Sequence, residues 1–241
     1  MAKINSQVYD QNVLKEGSQF QIDKFYEPKD EQMKRRIQVI MDMVKPDKGE
    51  KVLDAGCGVG TFAFHCARHD TFSVGIDYSL ESVKTAAALC HRFGVSDRAK
   101  FIAGSCVGFP LKDCYFDKII AADFIEHITR DEKIRFLKES LRVLKTGGKI
   151  IVFTPNKIRE DAGERYWKLR NVLFNERIPH TELHFGLTTR GEFESMLKRY
   201  DVTFTLCYRD VVRPYLAMVP IVRNFLALNL LWVIQKRSNR A

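Results

Sequence analysis

The stretch KVLDAGCGVGTFAFHCARHD, residues 51–70, joins a short apolar run to glycines at 56, 58 and 60 and then to a helical pattern. A strand, a glycine turn and a helix in this order are typical of the first unit of a parallel α/β sheet, whose ligand lies at the carboxyl ends of the strands. The dinucleotide fingerprint would place its third glycine at position 61, where this chain has Thr61. No Gly-Lys-Ser/Thr follows, so a nucleoside-triphosphate loop is not supported either.

Segments with strand-like and helix-like patterns alternate along the rest of the chain. An amphipathic helix is predicted over Asp30–Val44, and the last strand is apolar enough to be buried on both faces of a sheet. The alternation predicts an α/β fold with a doubly wound, mostly parallel sheet of seven strands. The predicted strands are 51–55, 71–77, 99–104, 116–123, 149–155, 201–209 and 228–236, and helices are predicted over 61–69, over 79–93, from Thr129 to Gly147 and Gly148, and after Thr189.

Composition predicts one intracellular domain. The length of 241 residues and the hydrophobic content of 45% fit a single α/β domain. The N-terminus lacks the features of a secretory signal and the six cysteines form no CxxC pair, so we expect a cytoplasmic protein with reduced thiols. The net charge of +9 favours anionic partners without choosing their class. Residues 214–226 stay open as an apolar lid or as a helix in peripheral contact with a membrane.

Two acidic residues flank the glycine turn. Asp54 precedes it, where a carboxylate suits a cationic ligand group and repels a pyrophosphate. Asp77 ends the second strand, where an acid can accept hydrogen bonds from ribose hydroxyls, and Tyr78 beside it can pack on an adenine face. The predicted ligand therefore has a ribose, a purine and an amino or sulfonium cation, and needs no phosphate.

Four segments in order, VLDAGCGVG, GIDYS, FDKIIAADFIEHI and LRVLKTGGKIIVFTPN, resemble the motifs of the class I S-adenosylmethionine-dependent methyltransferases. The chain most resembles their small-molecule branch, typified by the ubiquinone and menaquinone biosynthesis methyltransferases. The resemblance implies a single domain with a Rossmann-like methyltransferase fold. Its expected parts are an N-terminal helical lid over 1–45, a cofactor-binding core over 46–156, a cap inserted after strand five over 157–187, and a last helix with two strands over 188–241.

The resemblance also assigns cofactor roles. Asp54 would lie near the methionine amino group, Asp77 would bind the ribose and Tyr78 would pack on the adenine. Where the family usually has Gly-Asp after the third strand, this chain has Gly104-Ser105-Cys106, which leaves Ser105 to hydrogen-bond the adenine. The cofactor that the resemblance implies is S-adenosylmethionine, and the residues predicted to bind it are Asp54, Gly56, Cys57, Gly58, Asp77, Tyr78, Ser105, Cys106 and Asp123.

Histidines are the predicted catalytic residues. An oxygen or carbon acceptor must lose a proton, and an imidazole with a near-neutral pKa suits this task. His127 is the first candidate base, and His180 with His184 is the second set, although each could instead orient the site or the cap. Asp123, Glu126 and His127 at i, i+3 and i+4 could bind a divalent ion, but cofactor contacts explain the same residues, so no metal site is predicted.

Two further segments admit two interpretations each. The aromatic and basic insert around Tyr166 and Trp167 either recognises an anionic or aromatic acceptor or is a solvated cap. The aromatic residues before position 30 either form a lid across the cofactor or staple the N-terminus to the core. These residues are Tyr9, Phe20, Phe25 and Tyr26.

The predicted function is transfer of a methyl group to oxygen or carbon of a small molecule that is hydrophobic or anionic, with no nucleic-acid partner. One alternative is an RNA or protein methyltransferase. Against it, the sequence after the fourth strand is ADFIEH and lacks the Asn-Pro-Pro-Tyr/Phe motif of amino-methylating enzymes. The other alternative is a protein that binds the cofactor without turnover.

Overall fold

The computed structural model describes residues 6–174, 184–211 and 220–237. Its strands are β1 Lys51–Ala55, β2 Phe72–Asp77, β3 Ala99–Ala103, β4 Phe116–Ala122, β5 Leu144–Pro155, β6 Val202–Val211 and β7 Ala227–Lys236. Within these ranges they form one seven-stranded sheet in the order β3-β2-β1-β4-β5-β7-β6. The pairs among β1 to β5 are parallel, and β7 is antiparallel to β5 and β6. The predicted doubly wound, mostly parallel α/β sheet is confirmed.

Capped helices connect the strands. The Thr129 side chain accepts from the Glu132 amide while Glu132 reaches back to the Thr129 amide, and Thr189 with Glu192 repeats this capping box. The Thr-x-x-Glu spacing of both boxes is present in the sequence. The boxes fix where two helices begin because they satisfy amides that the first turn leaves unpaired. The helices are α1 Ser6–Gln21, α2 Glu31–Val44, α3 Thr61–Ala67, α4 Leu80–Arg92, α5 Arg130–Val143, α6 Lys157–Phe174, α7 Arg190–Leu197 and α8 Pro220–Leu226, with a π-helical turn at Ile22–Tyr26 and a 3-10 turn at Ile125–His127.

The sheet is covered on both faces. On one face, α2 and α3 pack against the strands through Ile40 and Phe62. On the other face, α5 and α7 pack through Phe136 and Phe193, and the Phe193 ring lies 5.3 Å from that of Trp232. Trp232 belongs to β7 and is 1% exposed, so the prediction that this apolar segment is sheet core is confirmed.

The predicted end of α5 at the two glycines is wrong. The helix ends at Val143, and Leu144 already belongs to β5, where it pairs with Phe116. The Tyr115 amide also donates to the Val143 carbonyl at 2.7 Å. Backbone groups that the local sequence pattern assigns to the helix thus form hydrogen bonds with the neighbouring strand instead.

The N-terminal region contains a helix, α1, that precedes the helix predicted from residue 30. Contacts with α4 hold it: Asp10 accepts from the Ser79 hydroxyl at 2.6 Å and from the Glu81 amide at 3.1 Å. Gly17 interrupts the helix with φ 74° and ψ 164°. Tyr26 supports the interpretation that the aromatic residues before position 30 attach the N-terminus to the core. Its ring is buried, and its hydroxyl donates to the Val59 carbonyl at 2.6 Å.

The segment predicted as an inserted cap begins with α6. No side chain that the structure describes in α6 is buried, and Tyr166, Leu169 and Val172 are exposed. This described part favours the solvated interpretation of the insert. Residues 175–183, which include the predicted catalytic His180, lie outside the described residues.

The segment left open as a lid or membrane helix, 214–226, is described only in part. Residues 212–219 lie outside the described residues, and α8 follows them. Phe225 of α8 is 55% exposed. Among the residues that the structure describes, no helix combines the length and the apolar character needed to cross a membrane.

Candidate cofactor and acceptor site

Two cavities meet at the carboxyl ends of β1, β2 and β4. The larger, about 650 Å³, extends from Asp77 and Tyr78 to His127. The smaller, about 210 Å³, lies between β1 and α2, where Asp54 and Arg36 line it. The two cavities are adjacent, because they share part of their walls. The shared wall residues are Gly56, Gly58 and Asp123.

The glycine turn after β1 keeps its amides within the protein. The amides of Gly56 and Cys57 both donate to the Ile76 carbonyl, at 2.8 and 3.0 Å, and the Gly58 amide donates to Oδ2 of Asp77 at 2.9 Å. A phosphate cradle needs amides that point at the ligand, so these three positions do not form one. Gly58 has φ 50° and open space where a β-carbon would stand, which lets a ligand approach the backbone closely.

Asp77 presents a nearly buried carboxylate to the larger cavity. Its Oδ1 accepts from the Ser79 amide at 2.9 Å, and its Oδ2 accepts from Gly58. Burial raises the pKa of Asp77, and the amide bonds oppose that effect. Each carboxylate oxygen has a second lone pair, so both can still accept from the hydroxyls of a ribose.

Tyr9 spans the larger cavity. Its ring lies 5.4 Å from that of Tyr78 at an angle of 71°. Its hydroxyl oxygen lies 3.3 Å from Nδ1 of His127. Tyr9 therefore links the side of the cavity where an adenine is expected to the side where a base is expected, which favours the lid interpretation for this residue.

Charged groups surround the smaller cavity. Asp54 is 2% exposed and its Oδ2 accepts from the Ala63 amide at 3.0 Å. Burial raises the pKa of Asp54 to about 7, because the ionised carboxylate loses its hydration. Arg36 of α2 forms an ion pair with Asp123. An ammonium group suits Asp54 and a carboxylate suits Arg36, so the cavity matches the two charged groups of an amino acid.

Three predicted contact residues carry small polar side chains. Ser105 lines the larger cavity, and its hydroxyl accepts from the Val107 amide at 3.3 Å. Cys106 lines the same cavity, and Cys57 lines the smaller one. Burial raises the pKa of both thiols well above the ordinary value. They stay protonated at neutral pH, so neither thiol is suited to act as a nucleophile.

Two of the three predicted catalytic histidines come together. His127, in the 3-10 turn after β4, lines the larger cavity. The ring of His184 lies 5.3 Å from that of His127, at an angle of 61°. No sequence spacing relates these two rings, because His184 lies near the end of the predicted cap segment, far along the chain from His127.

Glu126 is completely buried behind this pair. Its Oε2 accepts from the Thr154 hydroxyl at 3.0 Å, whereas Oε1 has no partner among the described residues. Within the same residues the buried Nδ1 of His184 also lacks one. Burial raises the pKa of Glu126 to about 7, so this carboxyl group can exchange a proton near neutral pH.

Glu126, His127 and His184 could bind one metal ion, because their donor atoms lie within 4.8 Å of one another. The sequence pattern suggested Asp123 for such a cluster, but the structure pairs Asp123 with Arg36, and His184 takes its place. The positive charges of Arg36 and Lys133 already act on the carboxyl group of Glu126. They oppose the binding of a further cation.

Comparisons with known proteins find similarity to methyltransferases. Residues 52–148 match a family described as a methyltransferase domain. Ajmaline N-methyltransferase of Rauvolfia serpentina is 35% identical over 114 residues, which are 45% of this chain and 38% of that protein. Sterol 4-C-methyltransferase strm-1 of Caenorhabditis elegans is 28% identical over 153 residues, 62% of this chain and 43% of that protein. The chain spans less than half the length of these curated relatives.

Residues 52–148 are thus similar to a methyltransferase domain, and the relatives named above are methyltransferases. Among solved structures, the cyclase SpnF has the same fold, with a TM-score of 0.66 at 20% identity over 86% of this chain and 82% of that one. The cofactor of the methyltransferase domain is S-adenosylmethionine. The residues fit it, since the two cavities offer a carboxylate for a ribose and a charged pair for an amino acid group. The resemblance to the ubiquinone and menaquinone branch stays a prediction.

Sequence reasoning did not identify Arg36, which lines the smaller cavity. The helical pattern placed Arg36 on the polar face of α2 with Arg35, which is indeed 72% exposed. The Arg36 side chain is 28% exposed, and its guanidinium lies 5.2 Å from the centre of the Phe153 ring. A helical period alone cannot separate two adjacent arginines when one of them lies at the boundary of the buried face.

Proposed function

We propose that this chain transfers the methyl group of S-adenosylmethionine to an oxygen or carbon atom of a small, mainly apolar molecule. The observation that carries the proposal is the order of groups along two adjacent cavities with shared wall residues, from Asp54 and Arg36, past Asp77, to His127. This order of groups corresponds to an amino acid end, a ribose and a base beside the acceptor.

The cofactor would be held by groups from three elements. Asp54 would bind the ammonium group and Arg36 the carboxylate of the methionine part, while Asp77 would accept from the ribose hydroxyls. Tyr78 would pack on the adenine. When bound, S-adenosylmethionine supplies a methyl group that its sulfonium centre already activates. The protein must then mainly orient the acceptor and exclude water, and orientation alone can lower a barrier by roughly 7 to 11 kcal/mol.

The larger cavity is mainly apolar, and Tyr9, Asp123 and Glu132 add polar groups to its wall together with His127. Val107, Phe124 and Ile128 line it beside His127. Such walls favour a molecule that presents a single polar reacting group on a hydrophobic body. None of the described side chains of α6 is buried, so the basic residues of that helix are less suited to recognise the acceptor.

His127 is the proposed base. An O–H or C–H acceptor loses one proton for each methyl group gained, and His127 borders the cavity where that proton would leave. If Nδ1–H of His127 donates to the Tyr9 oxygen 3.3 Å away, Nε2 is the basic nitrogen of the ring. His184 and Glu126 lie behind His127 and could stabilise the imidazolium formed.

The reacting atom is inferred from this proton chemistry. By their names, the two curated relatives methylate nitrogen and carbon. A neutral amine attacks through its own lone pair and needs no prior deprotonation, whereas a hydroxyl or an activated carbon does. A histidine pair backed by a buried carboxyl group therefore favours oxygen or carbon as the acceptor.

The proposal is tested in two steps. Calorimetry with S-adenosylmethionine and with its demethylated product should show binding to the purified chain, and failure of both to bind contradicts the proposal. The protein is then incubated with an extract and methyl-labelled cofactor, and the extract is separated into small molecules, protein and RNA. Label in the small-molecule fraction is expected. Label in protein or RNA favours the first alternative, and binding without any transfer favours the second.

A further inference from the structure

Lys133 of α5 is a buried lysine beside the proposed catalytic wall. Only 1% of it is exposed, and its Nζ donates to the carbonyl oxygen of Ile128 at 2.8 Å and to that of Gly186. Taking an ammonium group out of water is unfavourable unless hydrogen bonds and opposite charges compensate. The compensation here comes from main-chain groups of two segments that are far apart in sequence.

The two segments carry the proposed catalytic groups. The first, residues 125–128, contains Glu126 and His127, and the second, residues 184–188, begins with His184. Gly186 joins them through both of its main-chain groups, because its amide donates to the Glu126 carbonyl at 2.8 Å while its carbonyl accepts from Lys133. The contact between the histidine rings therefore depends on this main-chain junction.

At this junction the main chains lie too close together to leave room for a side chain at position 186. A β-carbon on Gly186 would overlap the carbonyl oxygen of Ile128 and would also meet that of Glu126 at 2.9 Å. Two carbonyl oxygens that point toward each other repel, and a shared donor between them removes that repulsion. Lys133 supplies such a donor to Ile128 and Gly186.

Burial lowers the pKa of Lys133 to about 8. Three carboxyl groups from surrounding elements oppose this effect, namely those of Glu126, Glu192 and Glu132. Glu132 and Glu192 are the capping-box residues of α5 and α7. The ammonium group therefore lies between the starts of the two helices that follow the junction segments.

We propose that Lys133 is a positioning residue, which ties residues 184–188 to residues 125–128 and so seats His184 against His127. Its effect on turnover rests on the proposed function. The arrangement of the two rings does not, and it can be measured without any acceptor.

The test compares Lys133→Met, which removes the donors at similar volume, with Gly186→Ala, which displaces the same junction without changing Lys133. Lys138→Met is the matched control, since Lys138 is an exposed lysine of the same helix. Nuclear Overhauser contacts between the rings of His127 and His184 are recorded in protein with labelled histidine. Both junction variants should lose this contact and keep their affinity for the demethylated cofactor, whereas the control should keep both.

Turnover provides the second measurement. A misplaced catalytic group can cost about 10²-fold in kcat, so a loss of that order is expected for both junction variants. Lys133→Arg should recover part of it, because a guanidinium can also donate to both carbonyls.

A folded Lys133→Met protein that keeps the ring contact and the wild-type kcat overturns the proposal. If that variant does not fold, as judged by circular dichroism, the ring contact in Gly186→Ala decides the outcome. If the wild-type protein transfers no methyl group, the proposed function fails, while the ring measurement still decides the role of Lys133.

Discussion

The hydroxyl oxygen of Tyr9 lies 3.3 Å from Nδ1 of His127, and this contact joins the N-terminal helix to the turn after β4 across 118 positions of sequence. The edge-on contact with Tyr78 and the bond from Ser79 to Asp10 attach the same helix to the end of β2. α1 thus touches both ends of the larger cavity, and a ligand that fills the cavity must meet Tyr9.

Tyr9→Phe should separate the two roles of this residue. The ring and its edge-on packing against Tyr78 remain, but the hydrogen bonds of the hydroxyl with His127 and with Tyr78 are lost. We expect kcat to fall about tenfold, a part of the roughly 10²–10⁴ that a positioned base contributes, and the affinity for the demethylated cofactor to persist. Steady-state kinetics and calorimetry measure both. Phe20→Leu on the same helix is the control, as Phe20 is 42% exposed, and an unchanged kcat in Tyr9→Phe would contradict the assignment.

Asp54 should make cofactor binding dependent on pH. Burial raises the pKa of Asp54 to about 7 in the free protein, and an ammonium group binds its ionised form. Affinity for the demethylated cofactor should therefore fall by up to about tenfold for each pH unit below 7. Calorimetry between about pH 6 and pH 8 measures this, a range of about one unit on either side of the expected transition.

Asp54→Asn is the matched variant for the pH measurement. It should bind more weakly at pH 8 and lose most of the pH dependence. The raised pKa of Asp54 also affects the stability of the protein. Stability should change with pH in the opposite direction to cofactor affinity. Asp54 in the folded protein holds a proton that the unfolded chain has lost between about pH 4 and 7, so the cofactor-free protein should become less stable as the pH rises through this window. Equal pH dependence in both proteins would contradict the role of Asp54.

Arg36→Met should weaken only the binding of the methionine part of the cofactor. A hydrogen bond to a charged group contributes about 1.5–3 kcal/mol, so a roughly 10- to 150-fold loss of affinity for the demethylated cofactor is expected. Adenosine lacks the carboxylate, so its affinity should not change. Arg35→Met is the control, because Arg35 is the adjacent residue of α2 and is 72% exposed. A parallel loss for adenosine would show that Arg36 acts on the fold of the site and not on the carboxylate.

His127→Ala should lower kcat by about 10²–10⁴ and leave cofactor affinity intact, because a base acts only on the acceptor. His184→Ala should cost less, as His184 contacts the acceptor side only through the His127 ring. His91→Ala, at the exposed end of α4, serves as control. Loss of cofactor binding in His127→Ala would instead support the interpretation that this histidine orients the cofactor pocket.

Treatment with a chelator should leave turnover and the melting temperature unchanged. The cluster of Glu126, His127 and His184 has suitable donors, but Arg36 and Lys133 already act on the same carboxyl group with positive charge. A further divalent cation there would meet this repulsion. Activity that disappears on dialysis against a chelator and returns with Zn²⁺ would contradict this prediction.

The sequence by itself determined the strands, their alternation with helices and the two capping boxes. It could do so because apolar periodicity, caps and glycine turns are local properties of the chain. The acids at 54 and 77 were found in the same way, since Asp54 is the last residue but one of β1 and Asp77 ends β2. The local pattern was wrong about the end of α5. That helix ends at Val143, because Leu144 pairs with β4 as part of β5.

Only the tertiary structure decided which side chains share the site. Tyr9, Arg36 and His184 come from α1, α2 and the segment before α7, and no sequence spacing relates them to one another. Packing of these elements on the sheet brings Tyr9 and His184 to His127, and Arg36 to Asp123. The decisive contacts join residues far apart in the chain, and such contacts depend on the closed three-dimensional packing and not on any pattern within one segment.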